Sequence, residues 1–452
     1  MRATIAIVGG GASGAALALQ LLERAPPTVT ILLFEAEGPL GRGLAYGTEE
    51  TTHLLNVRAG NMSVWPDRPQ DFVDWLAGRR WSDPHDRFLP LELAFAPRYL
   101  YGDYLADRLR SLGSTERLRI FPRRVVDLQQ EGEGYRLLDE AEVSHVAETV
   151  VLALGNNPRA SQERPGVVPD PWSRAALADL DPDAAVMLLG SGLTAVDLTL
   201  SLQDRGHRGP VTLLSRRGLL PRPHCEPATW RAWLDPTARP QGLASLLWLA
   251  RREAAAAHDA GVPWQAVVDA LRPDTQALWL DLTREERSRF LRHLRPWWDA
   301  HRHRMPPAAA ARIQALTREG RFEVLAGKLR GVEPLADGLL VRWRPRHGEA
   351  VVSRKVARVI DCTGGEADPR RLSDPLVVAL LNRHQARADA LGLGFDVDRF
   401  CRLLDGEGRP TRRLYALGPL TRGIFWEVTA MPDIRLQAAR LVERILSDRK
   451  PA

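Results

Sequence analysis

The sequence predicts an α/β protein with two dinucleotide-binding, Rossmann-like domains, the first of them split by insertion of the second. A strand–glycine-turn–helix–strand pattern opens the chain, and the same pattern returns from Ala184. Two later strand-like runs, Val356 to Ile360 and Leu414 to Leu417, each end in glycine, as strands rejoining an earlier sheet would. At 452 residues the chain is too long for one compact core and suits two domains. The expected partition is 1–180 for the first part of the split domain and 181–334 for the inserted domain. The second part is then 335–452, and a helical insertion is expected at about 226–318.

Each element follows from local composition. Thr4 to Val8 is a short β-branched run suited to a strand buried on both faces. The run Gly9-Gly10-Gly11-Ala12-Ser13-Gly14 breaks it, Ala15 to Arg24 reads as a helix, and Val29 to Phe34 is a second strand ending at Glu35. Gly9, Gly11 and Gly14 fill the glycine positions of G-x-G-x-x-G, with Ala12 and Ser13 between them. The first permits the tight turn, the second lets backbone approach a pyrophosphate, and the third lets helix pack on strand. The helix start then aims its N–H groups and positive dipole end at phosphate. Glu35 follows Gly14 by 21 residues and can take both hydroxyls of an adenosine ribose, while repelling a 2′-phosphate. This site is expected to hold the ADP half of FAD.

The second unit has opposite charge logic. Val186 to Leu189 is its strand, Gly190-Ser191-Gly192 its turn, Thr194 to Asp204 its helix and Val211 to Leu214 its next strand. Gly190 and Gly192 with Ala195 give the G-x-G-x-x-A variant. Where Glu35 stood, this unit has Ser215-Arg216-Arg217: no carboxylate, and two guanidiniums with a hydroxyl. Guanidinium pairs bidentately with phosphate, at roughly 1.5–3 kcal/mol per charge-assisted bond. NADPH is therefore expected over NADH by about tenfold to a hundredfold. Two further junctions fit the plan. One is the run Val150 to Leu154 into Gly155-Asn156-Asn157-Pro158; the other, Asp361-Cys362-Thr363-Gly364-Gly365, is where the chain leaves the inserted domain.

Bulk properties narrow the function. Hydrophobic content of 44% and charged content of 26% describe an ordinary globular chain. The formal charge of +6 rests almost wholly on arginines interspersed with acids, lysine occurring only at Lys328, Lys355 and Lys450. No basic run alternates with aromatics, so a nucleic-acid partner is not expected. Cys225, Cys362 and Cys401 form no C-x-x-C pair, which argues against a zinc ribbon or dithiol centre and fits a reducing cytoplasm. The apolar stretch Ile5 to Leu22 is broken by the glycine turn and reads as neither signal peptide nor membrane span. Residues 226–318 hold seven of the thirteen tryptophans and end near His301-Arg302-His303-Arg304. That cluster suits either an anion or a solvated helix end, and lacks the acidic partners of a metal site.

Several stretches go beyond the generic fingerprints. They include Gly41-Arg42-Gly43-Leu44-Ala45-Tyr46-Gly47-Thr48, His53-Leu54-Leu55-Asn56-Val57 and Phe95-Ala96-Pro97-Arg98-Tyr99-Leu100-Tyr101-Gly102-Asp103-Tyr104. Further on come Gly192-Leu193-Thr194-Ala195-Val196-Asp197, Trp298-Asp299-Ala300-His301-Arg302-His303-Arg304 and Trp426-Glu427-Val428-Thr429-Ala430. With these the chain resembles, along nearly its whole length, the bacterial FAD-NAD(P)-binding family that includes a flavin-dependent urate hydroxylase. Arg42 is placed to reach phosphate, and Asn56, Asn61, Ser63 and Trp65 to offer hydrogen bonds and an apolar wall near the flavin. Gly418 closes a late strand, and the helix after Pro432 directs its N-terminus at the flavin.

The resemblance implies a monooxygenase that takes hydride from NADPH and hydroxylates a small polar substrate through a flavin C4a-hydroperoxide, urate being the first candidate. The partners are then substrate and oxygen, with no membrane and with monomer and homodimer both open. Two rivals remain: an NADPH-dependent flavin reductase with a non-oxygen acceptor, and a non-catalytic FAD-binding redox partner. The intact second fingerprint weighs against the last. Fold and cofactor leave the substrate open, and no catalytic side chain is legible.

Overall fold

The chain enters one sheet, leaves it for a second, and returns to the first. In the computed structural model, residues 3–112, 116–156, 164–235 and 242–448 are described; Asn157, Pro158 and Lys450 lie outside them. The strands run in order as β1 (Ala3–Val8), β2 (Val29–Phe34), β3 (Leu118–Phe121), β4 (Val125–Glu131), β5 (Gly134–Asp139), β6 (Ser144–Ala147) and β7 (Thr149–Leu152). Then follow β8 (Val167–Val168), β9 (Val186–Leu189), β10 (Val211–Ser215), β11 (Phe322–Leu335), β12 (Gly338–Pro345), β13 (Val352–Val356) and β14 (Arg358–Asp361). The chain closes with β15 (Arg402–Leu404) and β16 (Pro410–Ala416). Two compact units result: residues 1–160 with 365–452, and residues 161–364.

In the first unit the sheet order is β15-β16-β7-β1-β2-β3, parallel except for the β15–β16 edge. The strand β1 is buried on both faces, as its β-branched run predicts. Ile5 and Ile7 pack on one side with the Ala12–Arg24 and Met431–Ser447 helices, while Ala6 and Val8 pack on the other. That second side also takes Val125, Leu128 and Leu137 of the small antiparallel sheet β4-β5-β6, and Leu376 and Val377 of the Pro375–Asn382 helix. Each fully buried Val, Leu or Ile side chain among them contributes about 1.5–3 kcal/mol. The closing helix starts at Met431, so Pro432 lies inside its first turn, where no N–H is needed, rather than ahead of it.

The second unit has the order β13-β12-β11-β10-β9-β14-β8. From β11 through β10, β9 and β14 to β8 it is parallel; β11–β12–β13 is antiparallel. Residues on both sides of the expected 181–334 span belong here, because β8 pairs with β14 and because β11 outruns its parallel partner. Phe322 to Ala326 pairs with β10, and the rest of that strand turns back as a hairpin with β12. Val356 ends β13 and Arg358 begins β14, so the single run predicted there is two strands joined at Ala357. Among the described residues, the first helix of the insertion starts at Gly242. Its helices are Gly242–Asp259, Trp264–Ala270, Thr275–Asp281, Arg284–Arg289 and Arg295–Arg302, the fourth opened by a capping box between Thr283 and Glu286.

Candidate cofactor sites

The two glycine turns are built in the same way. In the first unit, Gly9 N–H donates to Phe34 O at 2.9 Å and Ala153 N–H to Val8 O at 2.7 Å. In the second, Gly190 N–H donates to Leu214 O at 2.8 Å and Cys362 N–H to Leu189 O at 2.7 Å. Each turn is thereby pinned to the strand on either side. Gly9 and Gly190 take φ of +103° and +110°, and a Cβ on them would stand 2.4 Å from Ala153 O and 2.5 Å from Cys362 O. Only glycine suits both demands.

The helices that follow leave their first-turn N–H groups to an outside acceptor. Gly11 caps Ala12–Arg24 and Gly192 caps Leu193–Asp204, neither with a side-chain hydrogen bond, and neither helix has an acid in its first turn. Ser13 and Gly14 are buried at the first helix start, where a Cβ on Gly14 would meet Gly9 O at 1.8 Å. The third glycine is therefore a packing requirement, as its position in the fingerprint implies.

Glu35 stands at the end of β2. Its Oε2 accepts Gly10 N–H at 2.9 Å and its Oε1 accepts Glu37 N–H at 2.8 Å, so the carboxylate braces the glycine turn. Burial raises its pKa above the ordinary carboxylate range, opposed by those two backbone donors. Each carboxylate oxygen retains a further lone pair, so ribose hydroxyls remain acceptable partners.

The glycine-rich segment after β2 folds over the turn. Gly41 N–H donates to Gly10 O at 2.8 Å, and Gly43 Cα would lie 3.3 Å from a Cβ on Gly11. Arg42 Nη2 donates to Asp103 Oδ1 at 2.5 Å, and its buried Nε has no partner among the described residues. A half-buried guanidinium with a spare N–H beside a phosphate-type turn fits an anionic cofactor. Gly418, on the strand-end side, stands against Ser13: a Cβ there would be 2.6 Å from Ser13 Oγ. Gly155 is half-buried with open space before it, and Asn56 is half-buried.

Two residues expected to line a flavin pocket are packed or hydrogen-bonded within the protein. Trp65 is 2% exposed and belongs to the core, and Ser63 is taken up in a local turn: its Oγ accepts Trp65 N–H at 3.1 Å. Asn61 is exposed.

In the second unit, Ser215 Oγ accepts Gly218 N–H at 3.0 Å and lies 2.8 Å from Ser191 Oγ, which is itself 2.6 Å from Leu219 O. The hydroxyl is thus engaged in holding the turn after β10. Arg217 Nη2 donates to Arg292 O at 3.4 Å in the helical insertion. Arg216 is exposed and has no side-chain partner among the described residues, which leaves it the guanidinium most available to a phosphate. Gly192 is exposed, with nothing within 4 Å of a Cβ and an ordinary φ of −83°.

The His301–Arg304 cluster is tied into the insertion. Arg304 is 3% exposed, ion-paired with Asp269 and set over the Trp264 ring. His301 meets that ring edge-on, its Nδ1 2.8 Å from Trp297 O. Asp103 as the partner of Arg42 and Gly10 as the partner of Glu35 are not legible in the sequence. Both lay in stretches already noted, but nothing in residue spacing announces such pairings. Among the described residues no group of three or more His, Cys, Asp or Glu side chains could hold a metal, and no helix is long and apolar enough to cross a membrane.

Comparison with known proteins agrees with this geometry. Residues 6–157 match the family model described as FAD-NAD(P)-binding. No curated protein matches the sequence. Among solved structures the chain is similar to the reduced form of an ornithine hydroxylase from Pseudomonas aeruginosa, at 17% identity and TM-score 0.68, covering 100% of both chains. It is similar also to an ornithine N-hydroxylase from Kutzneria sp. 744, determined with reduced FAD, NADP+ and L-ornithine, at 18% identity, TM-score 0.67 and 99% of each chain. An L-lysine 6-monooxygenase from Pseudomonas syringae matches at 18% identity and TM-score 0.66 over 100% of both chains. The chain thus shares the fold of these two-dinucleotide-domain flavoproteins, and the match to the FAD-NAD(P)-binding model lies in its N-terminal third.

Proposed function

We propose that the protein is a FAD-dependent, NADPH-using monooxygenase that hydroxylates a small polar substrate. The observation that carries this reading is the pair of similarly built glycine turns with opposite charge at the following strand end, Glu35 in one and Arg216 in the other. In the first unit, the free N–H groups at the Ala12–Arg24 helix start and Arg42 Nε bind the FAD pyrophosphate, and Glu35 orients the adenosine ribose. In the second, the Leu193–Asp204 helix start and Gly192 receive the NADPH pyrophosphate, and Arg216 holds the 2′-phosphate, with Arg217 adding charge from its tether. Bound FAD supplies hydride acceptance and oxygen activation. The protein's own work is to bind, orient and exclude water. Gly155 and Gly418 leave backbone close to the same turn for the remainder of the cofactor.

For the substrate, the sequence resemblance puts forward urate, while the similar structures act on ornithine and lysine. The test is NADPH-dependent oxygen uptake by the FAD-loaded protein with urate, ornithine and lysine each added in turn. Uptake and an oxygenated product with one of them, in proportion to NADPH consumed, is the expected result. NADPH oxidation yielding only hydrogen peroxide with the whole panel would count against hydroxylation of these compounds and favour a reductase.

A further inference from the structure

Gln437 is a polar residue in an apolar stripe. It lies on the Met431–Ser447 helix, 5% exposed, with Ile434 one turn before it and Leu441 one turn after, both in the core of the first unit. An aliphatic side chain would fill such a position with no amide to desolvate, and a buried amide costs free energy unless its groups are hydrogen-bonded. The Gln437 amide is bonded at both ends. Its Oε1 accepts Gly418 N–H at 2.9 Å, and its Nε2 donates to Thr421 Oγ1 at 2.9 Å and to Cys401 Sγ at 3.5 Å. Thr421 Oγ1 donates in turn to Gly418 O at 2.8 Å, and Thr421 N–H reaches the same oxygen at 2.9 Å. One buried network therefore holds both backbone polar groups of Gly418.

The turn held in this way lies against the first glycine turn. Leu417 N–H donates to Leu152 O at 2.9 Å, on β7, and the next residue of that segment, Ala153, is the one that crowds Gly9. Gly418 takes φ of +79°, and a Cβ on it would stand 2.6 Å from Ser13 Oγ. Ser13 belongs to the first turn of the Ala12–Arg24 helix, the turn whose N–H groups are left to an outside acceptor. The Gly418–Thr421 segment thus packs on the helix start, and Gln437 fixes it there from the closing helix.

We infer that Gln437 is a positioning residue for FAD: its amide holds the Gly418–Thr421 turn against the start of the first helix, so that the cofactor meets a preformed site. The inference rests on the assignment of FAD to the first site. Gln437 itself stays in the core and acts through the Gly418 backbone. Gln20 provides the contrast. It is equally buried, and its Nε2 donates to Val64 O and Arg435 O, each at 3.1 Å, but it lies two helical turns beyond Ser13.

The experiment compares full-length wild-type protein with Gln437→Met and Gln20→Met, which keep an unbranched side chain and lose the amide. Each is freed of flavin and followed by fluorescence titration with FAD and by thermal melting. Both variants lose buried hydrogen bonds and melt lower than wild type. For Gln437→Met the FAD dissociation constant rises about three- to tenfold, while for Gln20→Met it stays within about twofold. Gln437→Glu is measured beside them at about pH 6, where burial keeps its carboxyl protonated. That carboxyl can accept Gly418 N–H and donate to Thr421 Oγ1, so affinity returns toward wild type. Unchanged affinity in Gln437→Met overturns the inference. An equal loss in Gln20→Met also overturns it, since FAD binding then merely follows core stability. So does a Gln437→Glu protein that binds FAD no more tightly than Gln437→Met. Wild-type protein that binds no FAD overturns the first-site assignment and this inference with it.

Discussion

At the scale of single residues, charge at the strand ends separates the two sites. Glu35 is braced by the amides of Gly10 and Glu37 and needs no further partner to hold the turn. Replacing it with alanine removes both braces and the ribose acceptor together. FAD affinity is expected to fall at least about tenfold, given roughly 1.5–3 kcal/mol for each hydrogen bond to a charged group. Retention of flavin through gel filtration at wild-type stoichiometry would be the contrary result. Arg216 and Arg217, equivalent in the sequence, differ in the structure because Arg217 reaches the Arg292 carbonyl. Arg216→Ala should raise the NADPH KM about tenfold or more and leave NADH almost unchanged, with a smaller change for Arg217→Ala. Steady-state kinetics with both nucleotides decide it, and equal effects on the two would remove the phosphate clamp.

The cysteines are set by burial. Desolvation pushes the Cys401 thiol up to about 12 and raises Cys362 further, and neither is in a disulfide. Near pH 8, about the ordinary thiol pKa, neither carries appreciable thiolate, so native protein should react with a thiol reagent only at the half-buried Cys225. Fast labelling of more than one thiol before unfolding would contradict that.

At the scale of elements, the glycine turns were legible in the sequence because their demands are local. A short turn between strand and helix, closely approached by the next strand, excludes side chains wherever it occurs. Gly190 meets that demand, whereas Gly192 has free space and an ordinary φ. Close approach of the proposed dinucleotide would account for a glycine there. Gly192→Ala is expected to melt at the wild-type temperature but to bind NADPH more weakly, a pairing that melting and nucleotide titration together report. Wild-type NADPH affinity would mean that no dinucleotide approaches this turn.

What the sequence hid depends on contacts between distant segments. The antiparallel β11–β12–β13 edge carries no glycine fingerprint. The inward turn of Trp65 is fixed by packing against the rest of the core. The Arg42–Asp103 pair joins segments 61 residues apart. Ser215 likewise reads as a free hydroxyl until the chain after β10 folds back and its Oγ accepts Gly218 N–H.

At the scale of the whole molecule, the proposed function requires that one chain hold FAD by its first glycine turn and be reduced by NADPH bound at its second. The most direct test is anaerobic rapid mixing of the FAD-loaded protein with NADPH, and separately with NADH, following the flavin absorbance. Bleaching by NADPH within seconds, and more slowly or at much higher concentration by NADH, is the predicted result. A flavin that stays oxidised with both nucleotides would contradict the claim and leave a FAD-binding protein without a hydride donor.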